Sequence, residues 1–108
     1  MKWFKLSPEQ AKRFGELKSD QELQVHGPLA DGQVVPIHDH SDQALYLVKG
    51  IAVCRTGDPT KDQILGLGRE FNAVLVEPGD RHGWMALIAN TVIEHCFGNA
   101  CETVLATT

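Results

Sequence analysis

Five histidines carry most of the chemistry this chain can offer: His26, His38, His40, His82 and His95. His38 and His40 stand two apart at the end of the β-branched run Val34-Val35-Pro36-Ile37. On a strand, residues i and i+2 share a face, with Cα atoms roughly 6–7 Å apart. Two imidazoles at that spacing can converge on one ion through bonds of ~2.0–2.1 Å. Gln43 follows at the start of the next apolar run, and His82 comes just after the turn Pro78-Gly79-Asp80. A closed sheet would gather all four around one ion. Otherwise the histidines are unconnected loop residues.

The elements that must position them read as strands. Apolar, β-branched runs lie at 22–26, 33–38, 45–49, 51–55, 63–67, 73–77, 84–88, 92–97 and 103–106. Turn residues separate them: Gly27-Pro28, Asp31-Gly32, Thr56-Gly57-Asp58-Pro59, Gly66 and Gly68, Pro78-Gly79-Asp80, and Gly98-Asn99. Glycine permits positive φ, proline fixes φ, and Asn or Asp bonds its own backbone. Turns recurring about every 8–12 residues predict an all-β sandwich or barrel. One helix signal precedes them. Ser7-Pro8-Glu9-Gln10 is a capping box with proline at the first helical position, predicting a short helix or turn from Pro8 to about Phe14, ended by Gly15. The chain divides into an N-terminal segment, 1–21, and a barrel, 22–108.

Two segments resemble the conserved motifs of the cupins. Gly32 through His38-Asp39-His40 and on to Gly50 matches the first, with Gln43 at the family's glutamate by its six-residue distance to Gly50. The loop between His40 and Gln43 is one residue shorter than the family's usual minimum. Gly68 through Pro78-Gly79-Asp80-Arg81-His82 is similar to the second, although Glu77 stands at the family's proline and Ala86 at its frequent asparagine. The resemblance implies an all-β double-stranded β-helix, a jelly-roll barrel with one metal in its mouth. It carries the ligand roles onto His38, His40, Gln43 and His82. If Gln43 cannot reach, water completes the set, or Asp39 or Asp42 swings in.

Such a ligand set is neutral, so a divalent ion would keep its full charge and act as a strong Lewis acid toward anionic or oxygen-rich ligands. One divalent transition metal is implied, zinc, manganese, iron or nickel, with copper also suited to imidazole. Oxygen chemistry stays open, because cupin thiol dioxygenases hold iron with three histidines and no carboxylate. Similar small cupins with three histidines and a glutamine act on unsaturated uronates, and cupin hydroxynitrile lyases share the set. The expected activity is that of a metal-dependent isomerase or tautomerase, lyase or oxygenase on a small polar or anionic molecule. The alternative is a non-catalytic module that senses or captures a small ligand or metal.

Strand parity orders the remaining candidates. Trp84 shares a face with His82 and is either a substrate-pocket wall or core filling. Ile93, His95 and Phe97 form the apolar, inward face of their strand, making His95 either the candidate catalytic base or a structural histidine; reversed parity would turn Glu94 and Cys96 inward. Gln43, Leu45 and Leu47 share one face, placing Tyr46 on the other, between sheets or at an interface. His26 is read as surface or interface, and Arg81 as an exposed turn residue.

Composition excludes several classes. Apolar residues at 43% and charged residues at 22% suit one globular core and argue against disorder. The net charge of −4, without a basic cluster, leaves no footprint for nucleic acid. No apolar run approaches the ~20 residues of a membrane span. Three cysteines, Cys54, Cys96 and Cys101, are an odd number and read as reduced, packed side chains. No secretory leader is apparent, so a cytoplasmic protein is expected. Edge strands and the apolar Trp3-Phe4 predict a homodimer, with that segment covering a neighbour's sheet.

Overall fold

The computed structural model describes residues 1–17 and 22–107. Among these, the elements run β1 (Lys2–Phe4), α1 (Pro8–Glu16), β2 (Leu23–Leu29), β3 (Val34–His38), β4 (Ala44–Lys49), β5 (Ile51–Arg55), β6 (Gln63–Gly66), β7 (Ala73–Val76), β8 (His82–Ala86), β9 (Thr91–Phe97) and α2 (Asn99–Ala106). The strands pair antiparallel in two facing sheets, β1-β7-β4-β9-β2 and β3-β8-β5-β6. Two facing antiparallel sheets are what the turn rhythm predicts, and their strand order is the jelly roll that the cupin resemblance implies. No helix among the described residues is long and apolar enough to cross a membrane. Residues 18–21, where the expected division at 21/22 begins, lie outside the described residues.

The five-stranded sheet is apolar on both faces. Ala44, Tyr46 and Val48 of β4 point between the sheets, where they join Val74, Val76, Ala52, Cys54, Leu65, Trp84 and Ile93. Leu45 and Leu47 point outward with Ala73, Leu75 and Cys96, and are covered by Leu6, Phe14, Cys101 and Val104. Double-sided burial explains why β4 and β7 read as unbroken apolar runs rather than alternating ones. The outer face of the four-stranded sheet differs. Val34, Met85, Val53 and Ile64 are successive cross-strand partners, forming one apolar row, and Val34 and Ile64 are exposed.

Two expectations are corrected. The run at 103–106 is not a strand but the end of α2. Thr103 and Val104 favour strands individually, yet Ala100, Cys101 and Val104 recur at helical spacing and bury on the sheet, and tertiary burial overrides local propensity. β1 pairs with β7 of its own sheet, Trp3 opposite Val74. Helix α1 does form its capping box, Ser7 Oγ accepting from Gln10 N at 3.1 Å and Gln10 Oε1 accepting from Ser7 N at 2.8 Å. It runs through Gly15 to Glu16 rather than stopping at Phe14.

One irregularity positions the site. Val34 pairs with Met85 and Val35 with Trp84, but His38 pairs with His82. β3 thus carries one residue more than β8 over this stretch, a β-bulge that re-aims a side chain. Without it, His38 would face opposite to Val35, away from the interior. Gly83 lets the bulge settle against β8: a Cβ there would lie 2.8 Å from Val35 O and 2.8 Å from Ile37 N. Overpacking of this kind costs roughly 1–3 kcal/mol. Gly83→Ala is therefore expected to lower unfolding stability by about 2 kcal/mol in urea titration. An unchanged midpoint would show that the bulge does not depend on Gly83.

Candidate metal centre

His38 ends β3, His40 follows in the loop, and His82 opens β8. The loop is pinned by Gly79 N, which donates to His40 O at 3.0 Å. The three residues bring one ring nitrogen each within 4.8 Å of one another. Their ring centroids stand 4.4, 4.7 and 5.8 Å apart. His82 is buried, His40 half-buried and His38 exposed, so the group opens to solvent on the His38 side.

The second nitrogen of each ring settles the tautomer. Nδ1 of His38 lies 2.8 Å from Pro36 O, Nδ1 of His40 2.8 Å from Asp42 O, and Nδ1 of His82 2.8 Å from Asp80 O. A carbonyl oxygen only accepts, so each Nδ1 carries the hydrogen and each Nε2 presents a lone pair. That is the arrangement of metal-ligating histidines, whose outer nitrogen is fixed by a backbone or carboxylate partner. Burial, with smaller contributions from His38 and His40, pushes the His82 pKa down and keeps it neutral. The donor set fits a transition metal of the imidazole-preferring kind.

Tyr46 is the residue whose site role sequence reasoning missed. Strand parity sets it opposite Gln43, between the sheets or at an interface; the structure turns that face toward the histidines, with the hydroxyl 3.0 Å from His82 Nε2 and 3.4 Å from His40 Nε2. The signal was its shared face with Ala44 and Val48, since the space between the sheets is where the histidines point. Gln43 has a different partner. Its amide nitrogen donates to both Glu77 oxygens, at 3.0 and 3.1 Å, and Leu45 and Leu47, its face-mates by parity, pack toward the helices.

Trp84 is fully buried between the sheets and leans on Tyr46 at 5.5 Å. His95 also faces inward, with 4% of its surface exposed. Tyr46 stacks on it at 4.6 Å and His26 at 5.0 Å, while Phe97 meets its edge at 5.1 Å. His26, expected at the surface, is half-buried in this stack. All five histidines therefore belong to one connected cluster of rings. Both ring nitrogens of His95 lack a hydrogen-bond partner among the described residues, as does Trp84 Nε1. Arg81 is exposed and borders a separate open concavity of about 710 Å³, with Trp3, Asp58, Asp62 and Asp80; none of the histidines lines it. Cys54, Cys96 and Cys101 are free and buried.

No protein-family model matches the sequence, and no curated protein matches it. Solved structures do. A cupin superfamily protein from Desulfitobacterium hafniense superposes with a TM-score of 0.55 over 75% of this chain and 71% of its own, at 20% identity. KdgF from Halomonas sp. superposes with a TM-score of 0.52 over 90% of this chain and 86% of its own, also at 20% identity. An RmlC-like cupin from Shewanella frigidimarina gives 0.50 over 71% of this chain and 67% of its own, at 17% identity. The shared property is the fold: this chain is built as a cupin jelly roll.

The buried cluster has a consequence for pH. Burial first, and the other four histidines second, push the His95 pKa down to about 3, against ~6.5 in an unfolded chain. Between those values the unfolded chain binds a proton that folded His95 does not. Its stabilising contribution is whole above pH ~6.5 and is lost as pH falls toward about 3, at up to ~1.4 kcal/mol per pH unit. His26 and His82 are depressed too and act in the same direction. In chelator-treated protein, urea midpoints should fall between pH 7 and 4, and less steeply in His95→Phe. Equal slopes in both proteins would contradict a neutral, buried His95.

Proposed function

We propose that the chain binds one divalent transition metal through His38, His40 and His82 and acts as a small metalloenzyme on a polar or anionic small molecule. The observation that carries this reading is the convergence of three Nε2 lone pairs, each ring held by its own Nδ1 bond to a backbone carbonyl. When bound, the metal supplies Lewis acidity toward an oxygen of the substrate or a place for O₂. The protein's own part is orientation and exclusion of water. The exposed His38 side is the entry, and Tyr46, Trp84 and Phe97 form an apolar wall behind the histidines. His95, stacked behind Tyr46 with its pKa pushed down to about 3 by burial, is a poor proton acceptor and takes the structural role in the pocket wall. Retained metal without turnover on any small hydroxy- or keto-acid would favour the alternative, a binding module.

The apolar row across the four-stranded sheet supports a homodimer in which a second copy covers Val34, Met85, Val53 and Ile64. Sedimentation equilibrium should give twice the 11.9 kDa chain mass and revert to monomer for Val53→Glu; a wild-type monomer at micromolar concentration would refute the dimer.

The metal reading is tested by elemental analysis of untagged protein purified without chelators, beside His40→Ala. About one equivalent of a transition metal is expected in the wild type, with a loss of affinity of at least tenfold in a variant that keeps its circular dichroism. Wild-type protein that takes up no metal, even after reloading, would overturn it.

A further inference from the structure

We infer that the fourth donor to a metal held by His38, His40 and His82 is the hydroxyl oxygen of Tyr46, an inference that rests on the metal-binding reading above. With bonds of ~2.0–2.1 Å to a tetrahedral ion, neighbouring donor atoms stand roughly 3.3–3.4 Å apart. Tyr46 Oη stands 3.0 Å from His82 Nε2 and 3.4 Å from His40 Nε2. It therefore occupies the place of a vertex toward two of the three imidazoles.

The ring is locked in that pose. Tyr46 is fully buried, and its ring lies between His95, stacked at 4.6 Å and 20°, and Trp84, tilted at 5.5 Å and 44°. Its neighbours two residues away, Ala44 and Val48, share the inter-sheet core, so β4 cannot turn the hydroxyl outward without exposing that core. The Gln43 amide nitrogen is tied to both Glu77 oxygens, and its face-mates Leu45 and Leu47 pack under the helices, away from the histidines. Three imidazoles leave the whole positive charge on the ion, and a phenol oxygen is an anionic donor once its proton leaves. As the metal–oxygen bond forms, the O–H bond breaks and the proton passes to buffer through the open His38 side, lowering the site charge by one. Three nitrogens and one oxygen would then hold the ion.

The test loads metal-free wild type, Tyr46→Phe and Gln43→Ala with Cu(II) or Fe(III), and records stoichiometry and visible absorption. Phenylalanine keeps the ring packing, and thermal unfolding verifies that each variant folds. The expected result is one equivalent bound by all three proteins. A phenolate-to-metal charge-transfer band should appear in wild type and Gln43→Ala and be absent in Tyr46→Phe. Zinc affinity should fall about tenfold or more in Tyr46→Phe alone. Identical spectra for metal-loaded wild type and Tyr46→Phe would overturn the inference while leaving the three-histidine site standing. So would a loss of metal in Gln43→Ala but not in Tyr46→Phe. Wild type that binds no metal would overturn both.

Discussion

Three imidazole lone pairs aimed at one point are the constraint on which this structure turns. Each ring donates Nδ1–H to a backbone carbonyl two residues away, so none can rotate its lone pair elsewhere without breaking a bond. Lone pairs so arranged repel until a cation or a proton stands between them. The Tyr46 hydroxyl supplies one such proton, and a metal would supply the charge. Much of the local backbone follows from holding this geometry. The extra residue in β3 turns His38 toward His82, Gly83 leaves room for it, and Gly79 ties the His40 loop to the turn before β8.

The two-sided apolar sheet makes that geometry stiff. β4 carries Tyr46 on its inner face and two leucines under the helices on its outer face. A shift of β4 by one residue would exchange these sets, exposing the leucine side and removing the hydroxyl from the histidines, so register is strongly specified. The same interior is low in dielectric. It depresses His82 and His95 and raises the Tyr46 phenol, so these groups are neutral near pH 7. Neutral His82, at the buried side of the cup, offers a lone pair to a cation rather than a charge that repels one.

The fold was legible because its signals are local. Glycine and proline turns punctuate short β-branched runs, and the capping box at Ser7 is a pattern of four residues. His38, His40 and His82 were legible for a similar reason, through spacing on a strand and a turn delivering the third. What escaped depends on packing across distant segments. Within helix α2 only Thr103 and Val104 favour strands, and it is the burial of Ala100, Cys101 and Val104 at helical spacing on the sheet that decides the segment. The bulge in β3 has one local mark, Pro36 inside the shifted stretch, but that mark does not say which face His38 then uses. Tyr46 reads as lying between the sheets or at an interface, on the face opposite Gln43, and its meeting with His82 spans 36 residues of sequence. Nor does the separation between His26 and His95 in the chain foretell that they stack.

The central claim is that His38, His40 and His82 form one metal centre. X-ray absorption at the edge of the bound metal tests it most directly, because imidazole ligands give a multiple-scattering signature distinct from carboxylate or water. The account predicts three imidazoles with nitrogen at ~2.0–2.1 Å and one oxygen donor at similar distance. A first shell of oxygens alone, or of a single imidazole, would contradict it.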